Sequence, residues 1–279
     1  VIMNGDTLEP LKIVSTRGMT EDTQEYHPEP RVAAIVASHL RPEFILNIKE
    51  TGKVLMVNYS NLSNLKVTTI DAERFLHDGG WDSTRRYFLA AANKSNRIAV
   101  MDSRTNKLES IIEVGKIPHP RGGANFVNQK YGPVCSTTPL VDDEIVLIVA
   151  DPPQRHPYAS RVVLTLFDDG AGALFIKTHP RSKHLYVDTP MNPNRPLTLS
   201  VAGFDLDHLD CQYKVLPIAH CAQLVKGSRR VLHPEFNREI HEVWFSVWNS
   251  QFRESAIVIV DDFRLMLKNV ISDIRLVTP

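Results

Sequence analysis

Cysteine is scarce in this 279-residue chain, and its three copies, Cys135, Cys211 and Cys221, fit no metal-ligand spacing. Neither C-x-x-C nor the C-x-x-C-H of a covalently attached haem occurs. The thiols read as unpaired structural residues, and they fix no redox compartment. No apolar run approaches the roughly 18–20 residues that a membrane-spanning helix needs. Excess charge is also missing: 32 basic and 32 acidic residues give a net charge of zero. A neutral chain carries no electrostatic footprint for nucleic acid or an anionic membrane, so neither is expected as a partner. Long segments of heptad or 3.6-residue period are absent, which removes support for a helical domain. The chain opens at Val1 with neither an initiator methionine nor a signal-peptide pattern, so it is expected to be processed or cut from something longer.

What is present is a repeat. Hydrophobic residues make up 43% of the chain, enough for a large core in one or two domains. The stretch RRYFLAAANKSNRIAVMDSRTNKLESIIEVG (85–115) reads as strand, polar turn, strand, acidic turn, strand and a closing glycine. The same grammar recurs over 42–71, 133–167, 183–218 and 241–273. Each copy follows a further short apolar segment: 31–38, a stretch near Trp81, 124–127, 173–178 and 230–236. About five four-stranded units of some 40–60 residues suit an all-β fold, a β-propeller. A β-sandwich is the second reading, disfavoured because it needs no unit repeated around a ring. Residues 3–18 resemble 101–115 and read as the end of a blade whose beginning is absent. The chain is therefore expected to be a segment of a larger propeller.

Two histidines stand at one phase of this repeat. His77, in RFLHDGGWD, and His119, in GKIPHPRGG, are 42 residues apart, and each shortly precedes a Gly-Gly pair. Both are placed in the connection just ahead of an inner strand, in successive blades, facing one mouth of a central channel. Pro118 and Pro120 restrict the backbone around His119. The glycines are read as allowing a tight turn and close approach of a flat ligand. Free imidazole titrates near neutrality, so such a pair suits proton delivery to a metal-bound oxyanion that loses water. The plain alternative is a pair of surface histidines. Phe175 and His233 lie on inner-strand segments, and Trp248 ends a neighbouring strand. These rings either pack against a planar macrocycle or, like Trp244, fill the space between blades. Arg31 and Arg121 either pair with a ligand carboxylate or stand solvated.

Six stretches together carry a family likeness: TLEPLKIVSTRGMTEDTQEYHPEPRVAAIVASH, FLHDGGWDSTRRYF, GKIPHPRGGANF, KYGPV, LFIKTHPRSKHLYVD and EVWFSVWN. The chain resembles cytochrome cd1 nitrite reductase over essentially its whole length. The resemblance implies a periplasmic homodimer of denitrifying bacteria. Each subunit would join a small c-type cytochrome domain, with haem c, to an eight-bladed propeller holding haem d1. It implies reduction of nitrite to nitric oxide, with oxygen or hydroxylamine reduction as side activities. The electron donor would be a small c-type cytochrome or a cupredoxin. His77 and His119 match the two distal histidines that bind and protonate nitrite, and Phe175 and Trp248 match residues packed around the haem. A related propeller that makes or carries haem d1 is the alternative, and a non-catalytic interaction propeller a third reading.

The departures from the family pattern are specific. HPRGG stands where H-P-G-R-G is usual, which displaces Arg121 by one position and weakens its assignment to the ligand. His233 stands where glutamine often precedes P-E, and Cys135 where tryptophan is common. The C-x-x-C-H motif and the axial histidine of the d1 iron are expected upstream of Val1, and the family's last strand segment after RLVTP. This stretch by itself is accordingly expected neither to hold haem nor to turn over.

Overall fold

The computed structural model describes residues 1–119, 123–150, 157–167, 170–225 and 227–277. The chain divides into two compact units, Val1–Glu113 and Val114–Pro279.

The first unit opens with two small hairpins, β1 (Ile2–Met3) with β2 (Pro10–Lys12) and β3 (Gly18–Met19) with β4 (Tyr26–His27). Two four-stranded sheets follow. One is β5 (Val32–Ala37), β6 (Glu43–Ile48), β7 (Lys53–Asn58) and β8 (Lys66–Asp71). The other is β9 (Leu76–Trp81), β10 (Tyr87–Ala92), β11 (Arg97–Asp102) and β12 (Lys107–Glu113).

The second unit holds three such sheets. The first comprises β13 (Ala124–Asn128), β14 (Gly132–Thr137), β15 (Glu144–Val149) and β16 (Arg161–Phe167). The next comprises β17 (Ile176–Lys177), β18 (His184–Asp188), β19 (Val201–Asp205) and β20 (Lys214–Leu216). The last comprises β21 (Arg229–Phe236), β22 (Glu242–Asn249), β23 (Glu254–Asp261) and β24 (Met266–Ser272). In every sheet consecutive strands are antiparallel neighbours.

Local chemistry explains the meanders. Asn96 and Asn106 take left-handed φ values of 56° and 53° in the turns on either side of β11, a conformation that asparagine tolerates better than most residues. Asp82 closes the β9–β10 turn by accepting the backbone N–H groups of Thr84, Arg86 and Tyr87. The second strand β10 is apolar and buried on both faces: all six of its residues are buried. The outer strand β12 alternates, because one of its faces meets solvent.

Burial is organised between sheets. Ile45 and Met56 of one sheet pack with Leu76, Phe88 and Met101 of the next. In the second unit Val134, Ile145 and Leu147 pack with Leu185, Val187 and Phe204. Tyr186 and Val201 then pack with Val231, Phe245 and Val258. Each large side chain buried in these layers contributes about 1.5–3 kcal/mol. Three sheets joined in series by two apolar layers are a succession of propeller blades; a sandwich has only one such layer. The fold is thus all-β, a β-propeller, with the five four-stranded blades that the repeat predicts.

The periodicity gave no sign of two single-turn helices, α1 (Arg195–Thr198) and α2 (Ile218–Cys221), which lie in the connections after β18 and β20. No helix among the described residues is long and apolar enough to cross a membrane.

Candidate functional site

In the first unit His77 lies inside β9, as its second residue, and not in the connection ahead of it. Its carbonyl accepts Nδ2 of the buried Asn47 at 3.0 Å, which ties β9 to β6 of the preceding blade. Its Nδ1 lies 3.3 Å from Oδ1 of the buried Asp78. The half-buried ring is thus held beside a carboxylate, which favours a proton on the ring nitrogen that faces it.

Gly79, two residues after His77, is needed by the packing of its own sheet. A Cβ on Gly79 would stand 2.5 Å from the Leu89 carbonyl oxygen and 2.7 Å from the Phe88 ring. At Gly79 the neighbouring strand and its phenyl ring approach closely.

In the second unit His119 is held by a short ladder of its own. Pro118 bridges to Pro139, the His119 N–H donates to the Thr138 carbonyl at 3.1 Å, and the Leu140 N–H donates to the Ile117 carbonyl at 2.9 Å. The side chain is buried, with Nδ1 3.2 Å from the Leu174 carbonyl oxygen. A carbonyl only accepts, so this contact requires a proton on Nδ1 and leaves Nε2 as the nitrogen turned away from Leu174.

Leu174 leads directly into Phe175, which precedes β17. The Phe175 ring lies flat against the imidazole of His233, with centroids 4.3 Å apart and planes 8° from parallel. His233 sits in β21 at φ 62°, where the register with β22 shifts. Its successor Pro234 has no N–H for the ladder, so the strand bulges there. The bulge turns the His233 N–H away from β22 and onto Oδ2 of Asp188 at 2.8 Å. Oδ1 of the same carboxylate accepts the Leu174 and Phe175 N–H groups at 3.0 and 2.9 Å. Asp188 is fully buried at the end of β18. Burial pushes its carboxyl up to about 6, against the lowering effect of the hydrogen bonds from Phe175, His233 and Leu174.

The remaining candidates stand elsewhere. Arg31 forms an ion pair with Glu50, its Nε 2.6 Å from Oε1, so a ligand carboxylate would have to compete with Glu50. Trp248 is the seventh residue of β22, 43% exposed, and pairs with Arg230, three residues along β21 from His233. Trp244, in the same strand, donates its indole N–H to Glu242 at 3.0 Å. Arg121 lies outside the described residues.

The structure therefore gathers Phe175, His233 and His119 around one acid that sequence reasoning missed. Asp188 works entirely through backbone N–H groups, which leave no side-chain signature; a lone acid closing the apolar run HLYVD is the one available sign.

Comparison with known proteins identifies the family. Residues 1–279 match the family described as the Cytochrome D1 heme domain. The chain is 50% identical over 286 aligned residues to the nitrite reductase of Stutzerimonas stutzeri. That alignment takes in all of this chain and 51% of the relative, so the chain spans about half of that protein's length. Among solved structures, dihydro-heme d1 dehydrogenase NirN in complex with DHE superposes with a TM-score of 0.75 at 17% identity, over 97% of this chain and 52% of that one. Kuenenia stuttgartiensis hydrazine synthase superposes at 0.58 and 13% identity, over 88% of this chain and 66% of that one. Both structural likenesses speak for the propeller fold. The motifs, the blades and a match over the full length lead to one conclusion: this chain belongs to the cytochrome D1 heme domain family.

Proposed function

We propose that this chain is the haem d1-holding part of a nitrite reductase that forms nitric oxide. The observation that carries the reading is the pairing, in one unit, of a flat ring face with a buried acid–base group. Phe175 and His233 lie face to face, and the residue before Phe175 holds His119 by Nδ1.

Haem d1 fits this donor set by shape and polarity. A planar macrocycle needs flat apolar contact and hydrogen-bonding groups. Phe175 is half-buried and His233 exposed, so their rings offer such contact. When bound, the iron of haem d1 supplies the one electron that nitrite takes up.

The reaction balances as nitrite plus two protons and one electron, giving nitric oxide and water. His77 and His119, each entering the step with both ring nitrogens protonated, deliver one proton apiece to the same departing oxygen, which leaves as water. Asp78 orients His77, and the Leu174 carbonyl orients His119 with Nε2 as its second nitrogen. Arg31 would serve a carboxylate of the macrocycle by exchanging Glu50 for it, and Trp248 would add a second aromatic contact. Arg121 is retained in the proposal on its motif alone.

The same reading makes the whole protein a periplasmic homodimer. A separate c-type cytochrome domain would pass electrons on from a small cytochrome or a cupredoxin. Half identity to a nitrite reductase along the entire chain supports the assignment to nitrite reduction.

The test is nitric oxide formation from nitrite by the full-length protein loaded with haem d1 and supplied with a reduced donor. Nitric oxide at one mole per mole of nitrite is expected. Tight binding of haem d1 without nitrite turnover would instead assign a role in making or carrying the cofactor.

A further inference from the structure

The contact between His119 and Leu174 reaches back to a residue with no expected role. We infer that Asp188 is a positioning residue: its carboxylate fixes the peptide that holds the His119 ring and, through a second oxygen, the strand bulge that stacks His233 on Phe175. The inference rests on the reading of His119 and the ring pair as groups that face haem d1.

The argument turns on one peptide plane. The Leu174 carbonyl and the Phe175 N–H belong to the same rigid unit and point in opposite directions. Asp188 Oδ1 holds the N–H side at 2.9 Å, and His119 Nδ1 donates to the carbonyl side at 3.2 Å. A negative charge on the N–H side also polarises the peptide and makes its carbonyl a better acceptor.

Few other constraints act on that peptide. The strand that follows, β17, has only two residues, paired as Ile176 with Val187 and Lys177 with Tyr186. Asp188 adds its own N–H to the Phe175 carbonyl at 3.2 Å, so it grips the segment from both sides. Its second oxygen reaches into the next blade for the His233 N–H. One side chain thereby sets three candidate groups, Phe175 and His233 on successive blades and His119 in the connection ahead of β13.

Stability alone does not account for this acid. Burial makes its ionised form costly, so a neutral residue of the same shape would spare the fold a desolvation penalty. What only the carboxylate supplies is two acceptor oxygens for three N–H donors. Asparagine has one acceptor, and its amide would set a donor against a donor.

The test begins with the unmutated full-length protein, free of haem and labelled with nitrogen-15 in histidine. The His119 signals are assigned by comparison with His119→Gln. The neutral ring should carry its proton on Nδ1. In Asp188→Asn that preference should be lost, and haem d1 should bind roughly 10-fold more weakly, with the far-ultraviolet circular dichroism unchanged. An Nε2–H tautomer in the unmutated protein overturns the inference, whether or not the variant folds. So does a folded Asp188→Asn with unchanged His119 signals and unchanged haem affinity. If the tautomer behaves as expected but the unmutated protein takes up no haem d1, the positioning of His119 stands and the proposed function falls.

Discussion

The rings of Phe175 and His233 lie 4.3 Å apart and 8° from parallel, although they come from successive blades. Face-to-face contact of a phenyl and an imidazole adds about 0.5–1.5 kcal/mol beyond the burial of their area. Phe175→Leu keeps most of the apolar volume and removes the flat face. Haem d1 affinity measured by titration should fall by roughly 3- to 10-fold, with the unfolding midpoint little changed. Equal affinity would remove Phe175 from the haem contact.

Asp188 gives a pH signature of known sign. Its folded value, about 6, lies above the ordinary carboxylate range, so the native state holds a proton that the unfolded chain has lost. Its contribution to stability is complete below about pH 4 and is lost as the pH rises through about 6. Urea unfolding should therefore show the wild-type advantage over Asp188→Asn shrinking by about 2 kcal/mol between pH 4 and pH 7. A constant difference across that window would contradict the assignment.

Asp262 illustrates the opposite case. Burial pushes its carboxyl up, but hydrogen bonds from His184, Tyr186 and Ser182 outweigh it and hold the group below the usual range. Tyr186 donates at 2.7 Å and Ser182 at 3.0 Å, joining β18 to the end of β23. This stabilisation is present above the ordinary carboxylate range and is lost as the pH falls through the lower folded value. Asp262→Ala strands buried donors and should cost about 2–4 kcal/mol in denaturant unfolding at neutral pH. A loss below 0.5 kcal/mol, roughly the scatter of neutral surface changes, would show the network to be incidental.

Gly79→Ala should destabilise the first unit by about 1–3 kcal/mol, since the new methyl meets the Leu89 carbonyl and the Phe88 ring. Thermal unfolding measures it directly. An unchanged midpoint would mean that the strand pair opens freely at this point.

The blades were legible because alternation and turn chemistry are local. Stretches such as ANKSNR and DSRTNK put asparagine where the backbone turns left-handed, and the inner strands β5, β13, β17 and β21 were found from short apolar runs, with β9 placed only as a stretch near Trp81. Phe175, His77 and His119 drew notice through motifs. His233 drew notice as a departure, and the bulge that gives it its place follows from the adjacent Pro234.

What escaped was non-local or carried by the backbone. Asp188 acts on three N–H groups, two of them from a segment that precedes it by 13 and 14 residues and one 45 residues later. That Phe88 crosses over Gly79 is likewise a contact between strands that the sequence does not reveal. Arg31 was offered to a ligand because its partner Glu50 stands 19 residues away, across the β5–β6 hairpin.

The central claim is that His77 and His119 act as acids on one nitrite. Its most direct test is the rate of nitric oxide formation by His77→Ala and His119→Ala in the full-length protein, with haem d1 content measured in each. Each substitution should lower turnover by about 100-fold or more while the haem stays bound. Near-normal turnover in haem-loaded samples of both variants would contradict the account.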